Sequence, residues 1–534
     1  MGLFHYLNPT LLVLIFLYKH RIMTRILKNI TTVLALVVVS SCSKLDINEN
    51  PVNPVTVPST QRLAAIEANL AYSLYSQARW GAYHSYYLTT RTGNSNAQTD
   101  TWNYNSITRL GAWRWHYFDV GSNIIGQAGM IVRAKEEGSN NYIGVGKIML
   151  ALSYLSATDV FGDMPMKEAY IGSFNPLYDS QEEILKNILV LLDEGVADLN
   201  NVSDQALSMN AKTDIIYQGD LNKWKGLAEA VRARVKLRTA NFQNGHQELL
   251  TIVNNAIANF SDALYTYPKG STSSWQRNLW GPSGPPPAGE AFQFADIKSD
   301  LETTLPTDVL MKSLTIDEVN KVYDPRLLKL TTPGVNNKYL GAKMSEGLRD
   351  VNLPTGTVYQ DFANLRNGFW TSDDSPYPIL LKEELYFIKA ETQFYLGDTE
   401  GALASYHTGI DLNLRRLGVA EGQIISYMGS AKVAQNASAL TIADIMLQKY
   451  IALYLQGETW TDIRRYGYSK KAYPNLYYPR YALTEWTGRY IQRLPYDPQT
   501  EYVYNPKEIA RLGATARDWV FKPVWWAEKS TLKD

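Results

Sequence analysis

The sequence predicts an all-α, or at least predominantly α-helical, protein in which a tetratricopeptide-like scaffold carries one large loop-rich insertion. Three observations lead to this fold class. Apolar residues recur at helical spacing in several long stretches. Residues that cap helix N-termini precede some of these stretches. The helical pattern is lost between about residues 265 and 374, where turn-forming residues are frequent.

Four helices are predicted ahead of the insertion. The first begins near Ser59, and the second covers Tyr142–Val160 and stops at the turn Phe161-Gly-Asp-Met-Pro165. The third follows Ser180, because Ser180-Gln-Glu-Glu183 has the pattern of a capping box. The fourth opens at Asp220 and is predicted from apolar residues at helical spacing.

A second helical region is predicted after the insertion, beginning at Leu380. Thr441-Ile-Ala-Asp444 then has the pattern of an N-terminal cap for a further helix. Small residues at tetratricopeptide offsets allow two antiparallel helices to approach each other closely. The residues at such offsets are Ala390, Gly397, Asp398, Ala402 and Tyr406.

An apolar run near the N-terminus ends just before the only cysteine of the chain. The run Ile30–Val39 follows Arg25 and Lys28, which is the order of charged and apolar regions in a secretory signal. It is shorter than the roughly 20 apolar residues that span a bilayer. Val39-Ser-Ser-Cys42 resembles a bacterial lipobox, in which the cysteine is acylated and becomes the mature N-terminus. We therefore expect residues 1–41 to be removed and Cys42 to carry the lipid.

A second apolar patch, Leu11–Tyr18, precedes this signal. If translation starts at Met23, residues 23–42 form a complete lipoprotein signal, and Met1–Ile22 reflects a mis-assigned start. The alternative is an N-terminal membrane anchor. After the cysteine, the polar and proline-containing residues 42–59 predict an extended, lipidated tether. Residues 60–534 are then expected to form a single compound domain.

The charge balance excludes one class of partner. The chain has 52 basic and 52 acidic residues and no long block of like charge, so nothing indicates nucleic-acid binding through phosphate neutralisation. Arg232, Arg234 and Arg238 of the helix after Asp220 are interpreted as a solvated or ion-paired face. With one cysteine, the chain has no intrachain disulfide, and burial must stabilise it.

The composition of the chain is rich in aromatic residues that carry a polar group. There are 36 Tyr and 13 Trp against 14 Phe, and Tyr and Trp suit partly wet surfaces as well as cores. Residues 80–118 hold ten aromatic side chains around the polar loop 92–100. We interpret aromatic residues in polar or Gly/Pro-rich settings as an exposed platform that binds a ligand. The predicted ligand-binding residues are Trp80, Trp102, Tyr104, Trp275, Trp280 and Trp370.

Catalytic and metal-binding patterns are not found in the sequence. The six histidines show no metal-ligand spacing, and the single cysteine is assigned to the lipid. The sequence therefore predicts a protein that is not an enzyme and that uses no cofactor, and it offers no candidate metal-ligating residues.

Several segments together resemble the SusD/RagB family of outer-membrane lipoproteins of Bacteroidota. Two positions depart from the family pattern, since Asp497 separates Tyr496 from Pro498 and Gln218 replaces a common glycine. The segments that carry the resemblance are Cys42, Phe161–Pro165, Tyr217–Trp224, Arg232-Ala-Arg234, Asp324–Leu327, Glu384–Glu391, Gln448–Tyr450, Gly457–Trp460, Asp462–Arg465, Arg493, Glu501 and Asn505.

The resemblance implies both a function and a partner. Such a protein is anchored by lipid in the cell outer membrane, exposed at the surface, and captures oligosaccharide for uptake through a SusC-like TonB-dependent transporter. The loop-rich insertion is then expected to form the ligand-facing side. The alternative is a peptide-binding or purely structural lid subunit of such a transporter, without affinity for glycans.

Overall fold

The structure is a computed structural model that describes residues 10, 13–14, 16–25, 57–91, 98–104, 111–271, 276–283 and 300–529. The chain separates into two compact units, residues 1–57 and 58–534. In the first unit, residues 16–25 are helical. The apolar run Ile30–Val39, the predicted lipidation site Cys42 and most of the predicted tether lie outside the described residues, so these assignments stay predictions.

Helices dominate the described part of the second unit and confirm the predicted fold class. The helices of eight residues or more are α1 (Ser59–His84), α2 (Asn140–Phe161), α3 (Gln181–Asn200), α4 (Leu221–Thr239), α5 (His246–Asn259), α6 (Lys382–Tyr395), α7 (Thr399–Arg416), α8 (Glu421–Met428), α9 (Ile442–Ala452) and α10 (Gly457–Arg465).

Shorter helical segments connect these long helices. They are Gln98–Thr101, Ala112–Arg114, the π-helix Trp115–Gly121, Ser122–Ile125, Met130–Glu136, Asp308–Ser313, Leu327–Leu330, Glu501–Tyr504, Pro506–Leu512 and Trp525–Glu528, with 3₁₀ turns at Asp300–Glu302, Val335–Asn337, Gly347–Arg349, Tyr359–Asp361, Thr484–Trp486 and Trp519–Phe521.

Helix starts follow the predicted capping residues. The Ser180 hydroxyl accepts a hydrogen bond from the Glu183 backbone N–H at 3.3 Å at the start of α3. Asp220 Oδ1 accepts from two backbone N–H groups in the first turn of α4. Thr441 and Asp444 form a reciprocal capping box at α9. Each cap satisfies N–H groups that have no partner within the helix, which explains why a short local pattern locates these helix starts.

Helices α2 and α3 pack closely because glycine faces glycine. A Cβ atom on Gly144 would lie 2.7 Å from the Gly195 carbonyl oxygen, which is closer than real Cβ contacts. The residue pair therefore lets the two backbones approach without a side chain between them. Among the described residues, α2 is also the one helix long and apolar enough to cross a membrane, and 89% of its apolar window is buried within the protein.

The described part of the insertion consists largely of turns and irregular structure, as the sequence predicts, and it also contains short strands that the sequence does not predict. The strands of the described residues are β1 (Leu88–Thr90), β2 (Ala263–Tyr265), β3 (Thr304–Pro306), β4 (Thr315–Asp317), β5 (Val322–Tyr323) and β6 (Tyr377–Leu380). They pair antiparallel as β1 with β3, β2 with β6, and β4 with β5. The β1–β3 pair ties the insertion to the residues that follow α1, and the β2–β6 pair brings together the two segments where the insertion begins and ends.

The arginines of α4 pair with carboxylates inside the helical scaffold. Arg234 Nη2 lies 2.6 Å from Glu384 Oε2 of α6. Arg238 Nη2 lies 2.8 Å from Asp159 Oδ2 of α2 and 2.7 Å from Glu458 Oε2 of α10. The sequence interpretation as an ion-paired face is correct for all three arginines, since Arg232 pairs with Asp193 and Glu229. Arg234 and Arg238 are buried. A buried ion needs a partner, since an unpaired one costs several kcal/mol.

Candidate functional site

A groove of about 860 Å³ lies between three segments that are distant in sequence. One wall comes from residues 113–118, where the short helix Ala112–Arg114 runs into the π-helix Trp115–Gly121. A second wall is the irregular segment 165–176, and the third is residues 497–505. The volume falls in the range of about 300–1,000 Å³ that is typical of small-molecule sites.

The groove presents aromatic rings to solvent. Phe174 is 95% exposed, Tyr504 is 65% exposed and Phe118 is 63% exposed. Tyr170, which is half-buried, adds a fourth ring. Large apolar side chains that are exposed together are unusual on a protein surface and mark interaction sites.

The π-helix sets the first wall. The Tyr117 hydroxyl donates to the Pro165 carbonyl at 2.6 Å, and the Tyr170 hydroxyl donates to the Tyr117 carbonyl at 3.2 Å. These bonds join the first wall to the second. A Cβ atom on Gly121 would overlap the Tyr170 hydroxyl, so glycine at this position lets Tyr170 lie against the helix. Single π-turns within helices are often found at functional sites.

Glu501 of the third wall accepts hydrogen bonds from Trp113 of the first wall and from Tyr178. Trp113 Nε1 donates to Glu501 Oε1 at 2.9 Å, and the Tyr178 hydroxyl donates to Glu501 Oε2. Trp113 itself is buried, and its ring lies edge-on to Phe161 at a centroid distance of 5.0 Å. Burial raises the pKa of Glu501, and the hydrogen bonds from Tyr178 and Trp113 oppose that shift. The carboxyl group therefore holds the two rings in place.

Polar groups line the rest of the groove. Glu168 Oε2 accepts from the Leu177 backbone N–H at 2.9 Å. Asp497 Oδ1 accepts from the backbone N–H groups of Gln499 at 2.8 Å and Thr500 at 3.1 Å. Asn505 Nδ2 donates to the Pro176 carbonyl at 2.7 Å, which fixes the third wall to the second. Exposed rings beside carboxylates and amides form a surface with both stacking and hydrogen-bonding groups.

The fold and sequence then identify the family. A family model of SusD-like proteins, described as starch-binding and associating with the outer membrane, matches residues 51–496. The chain belongs to this SusD-like family. The match confirms the resemblance that the sequence motifs indicate. No curated protein matches the chain.

Solved structures share the fold of this SusD-like chain. A SusD/RagB family protein from Bacteroides thetaiotaomicron is 21% identical with a TM-score of 0.62, and the match covers 88% of this chain and 99% of the other. A SusD homologue from Parabacteroides distasonis is 21% identical with a TM-score of 0.64, covering 88% and 98%. A chitin-binding SusD homologue from Flavobacterium johnsoniae is 19% identical with a TM-score of 0.63, covering 88% and 98%.

The predicted ligand-binding aromatics occupy other positions in the SusD-like chain. The prediction that they are exposed is wrong for Trp80, Trp102, Tyr104, Trp280 and Trp370, which are all buried. Trp275 lies outside the described residues. A buried ring offers no free face to a sugar, so the assignment of these five residues to a ligand loses its premise.

Three of the five buried aromatics form one cluster around His84. Tyr104 Oη lies 3.1 Å from His84 Nε2, and the Trp80 ring lies edge-on to Tyr104 at 6.2 Å. Trp102, 1% exposed, lies edge-on to His84 and also to Tyr478, at centroid distances of 6.3 and 5.4 Å. Burial lowers the pKa of His84 to about 3, so the imidazole is neutral in this apolar cluster.

One amide side chain joins the backbones of the other two predicted residues, Trp280 and Trp370. Asn278 Nδ2 donates to the Trp370 carbonyl at 2.7 Å, and Asn278 Oδ1 accepts from the Trp280 backbone N–H at 3.0 Å. The Trp280 ring lies edge-on to Tyr75 of α1 at 4.8 Å. The Trp280 ring therefore fastens part of the insertion to the first helix.

Sequence reasoning missed the second and third walls of the groove. Phe174 lies in Ile171-Gly-Ser-Phe-Asn-Pro176, where an aromatic residue follows no helical or strand spacing and has turn-forming neighbours. Trp275 and Trp280, which the sequence predicts to bind ligand, have turn-forming neighbours of the same kind. Tyr504 has the same local signal, since Asn505 and Pro506 follow it as Asn175 and Pro176 follow Phe174, although it lies at the end of the short helix Glu501–Tyr504.

Proposed function

We propose that this protein binds glycan in the groove formed by residues 113–118, 165–176 and 497–505. The observation that carries the proposal is the set of three exposed rings, Phe118, Phe174 and Tyr504, around one cavity. Stacking the apolar face of a sugar on a ring removes roughly 50–100 Å² from water, which contributes about 1–3 kcal/mol. Several rings together supply useful affinity, and the carboxylates and amides of the groove pair with sugar hydroxyls.

The comparisons support a glycan as the ligand. The family model is described as starch-binding, and two of the similar structures are described as chitin-binding. Oligomers of N-acetylglucosamine and of glucose are therefore the first ligands to test. The protein then acts as the lipid-anchored subunit that passes captured oligosaccharide to a SusC-like TonB-dependent transporter.

The binding experiment is a titration of the purified protein with these oligomers by calorimetry. Phe174→Ala, Tyr504→Ala and Phe118→Ala are each expected to weaken binding by about fivefold or more, since each removes one stacking face. Tyr395→Ala is the matched control, because Tyr395 is also partly exposed but lies on α6 and does not line the groove. Unchanged affinity in all three groove variants would overturn the assignment of the site.

The anchor and the partner need a separate experiment. Cys42→Ala is expected to abolish acyl labelling and to release the protein from membranes, because two or more acyl chains are needed for stable anchoring. Labelling that persists in this variant would contradict the anchor. Co-purification with a barrel protein, together with no affinity for any glycan, would favour the structural lid subunit instead.

A further inference from the structure

The charges that line the groove are mostly negative. Glu168, Asp497 and Glu501 contribute carboxyl groups, and Arg114 contributes one guanidinium. Arg114 reaches outward, with a side chain that is 60% exposed, and its Nε lies 3.9 Å from Asp119 Oδ2. A ligand in the groove therefore meets an excess of negative charge.

Two of these carboxylates are fixed by the backbone and keep one oxygen for a ligand. Glu168 uses Oε2 and Asp497 uses Oδ1 to accept backbone N–H groups of their own loops. Within the part of the chain that the structure describes, Glu168 Oε1 and Asp497 Oδ2 accept no hydrogen bond and form no ion pair. A fixed carboxylate with a spare oxygen attracts a cation without first losing side-chain freedom.

Glu501 has a different role from these two. Both of its oxygens already accept hydrogen bonds, from Trp113 and from Tyr178. Its contribution to the charge of the groove is also smaller, since burial raises its pKa. The charge preference of the groove therefore rests on Glu168 and Asp497.

We propose that the groove selects glycans by charge, binding amine-bearing sugars most tightly, neutral sugars next and uronate sugars least. This inference rests on the proposed glycan-binding function of the same groove. An ammonium group on the sugar pairs with Glu168 Oε1 or Asp497 Oδ2, whereas a sugar carboxylate is repelled by both. Neutral sugars bind through stacking on the rings and through hydrogen bonds to the sugar hydroxyls.

The experiment compares three tetrasaccharides of matched length with the full-length protein. They are tetramers of glucosamine, of N-acetylglucosamine and of galacturonic acid, titrated at about pH 6, where the amines are protonated. We expect the galacturonate tetramer to bind about tenfold or more weakly than the neutral tetramer, and the glucosamine tetramer to bind severalfold more tightly. Higher salt is expected to compress these differences, because exposed charges are screened.

Charge-neutralising variants test the residues. Glu168→Gln with Asp497→Asn keeps an acceptor oxygen for each backbone N–H, and it is expected to reduce severalfold the factor by which the neutral tetramer binds more tightly than the galacturonate tetramer. The control, Asp411→Asn with Glu421→Gln, also removes two negative charges, but these lie around Arg415, away from the residues that line the groove. It is expected to leave the ratio of neutral to galacturonate affinity unchanged. If the groove variant folds poorly, the salt series on the unmodified protein still tests whether charge sets the differences in affinity.

These experiments distinguish a failure of the proposed glycan-binding function from a failure of the proposed charge selection. If no tetramer binds, or if Phe174→Ala and Tyr504→Ala leave the affinity for the tetramers unchanged, the proposed function is wrong. If tetramers bind in the groove but the galacturonate tetramer binds as tightly as the neutral one, or higher salt leaves the differences in affinity undiminished, the charge selection is wrong and the proposed function stands.

Discussion

Trp113 Nε1 donates a hydrogen bond to Glu501 Oε1 at 2.9 Å. This bond links the buried Trp113 ring of the first wall to the third wall, which is formed by residues 497–505. The relationship ties the shape of the site to the protonation of one carboxyl group. Burial raises the pKa of Glu501 above its ordinary value in an unfolded chain. The folded protein therefore favours the protonated carboxyl group more than the unfolded chain does.

The sign of the resulting pH dependence follows from linkage. The stabilising contribution of this raised pKa is fully present below the unfolded pKa of about 4.3 and is lost as the pH rises through the folded pKa. We expect the free energy of unfolding of the unmodified protein, minus that of Glu501→Gln, to fall as the pH rises from about 4 to 8. Denaturant titrations at several pH values measure this difference. Profiles that run parallel over the whole range would contradict the prediction.

Gly121 offers a steric test of the groove. Gly121→Ala places a methyl group where the Tyr170 hydroxyl lies, so we expect Tyr170 to be displaced and its bond to the Tyr117 carbonyl to be lost. Such overpacking costs about 1–3 kcal/mol. The thermal midpoint and the glycan affinity are both expected to fall.

The control for this change is Gly422→Ala on α8, where nothing lies within 4 Å of an added Cβ atom. The double variant Gly121→Ala with Tyr170→Ala is expected to bind glycan like Tyr170→Ala alone, since the methyl group acts through the tyrosine. Independent, additive losses of affinity would show that Gly121 acts on another part of the groove.

The fold was predictable where the determinants are local. Ser180, Asp220 and Thr441 lie within three residues of the N–H groups that they cap, so the sequence reveals the starts of α3, α4 and α9. The partner of Arg234 is different, because Glu384 lies 150 residues further along the chain. Only the folded topology brings such residues together, and no local pattern can specify the pairing.

Residues that are distant in sequence also decide which aromatic side chains are exposed. The polar loop next to Trp102 is visible in the sequence, but the Tyr478 ring that covers Trp102 lies in another part of the chain. Exposure is decided by such distant neighbours. Phe174 has turn-forming neighbours of the same kind and stays exposed, because no distant segment covers it among the described residues. Local composition thus indicates irregular aromatic segments without indicating which of them face solvent.

Glu67 is a buried acid whose removal is expected to stabilise the protein. It is fully buried on α1, its Oε2 accepts from the Ile215 backbone N–H at 2.7 Å, and its Oε1 has no hydrogen-bond donor within the described residues. Burial, together with the nearby Asp214, raises the pKa of Glu67 well above its ordinary value. Ionising this group in place is therefore unfavourable.

Glu67→Gln keeps the acceptor for Ile215 and removes the ionisable group. We expect the variant to be more stable than the unmodified protein by about 1 kcal/mol or more at pH 8, since each unit by which the folded-state pKa of Glu67 is raised costs the folded protein about 1.4 kcal/mol at a pH above that pKa. The advantage is expected to shrink as the pH falls, because a raised pKa means that the unmodified protein gains stability on acidification. Glu248→Gln, which removes an exposed carboxylate on α5, is the control. Equal stability of Glu67→Gln and the unmodified protein at pH 8 would contradict the prediction.

Arg238 holds two carboxylates inside the scaffold, and its loss is expected to be severe. Arg238→Met leaves Asp159 and Glu458 without their shared partner in a buried setting. Removing one partner of a buried ion pair typically costs about 3–5 kcal/mol, which exceeds the transfer gain of a buried methionine of about 2 kcal/mol. Arg415→Met breaks an exposed pair with Asp411 and Glu421, and we expect no resolvable change there. Denaturant midpoints at pH 7 compare the two, and a similar effect in both variants would show that the buried network contributes no more than a surface pair.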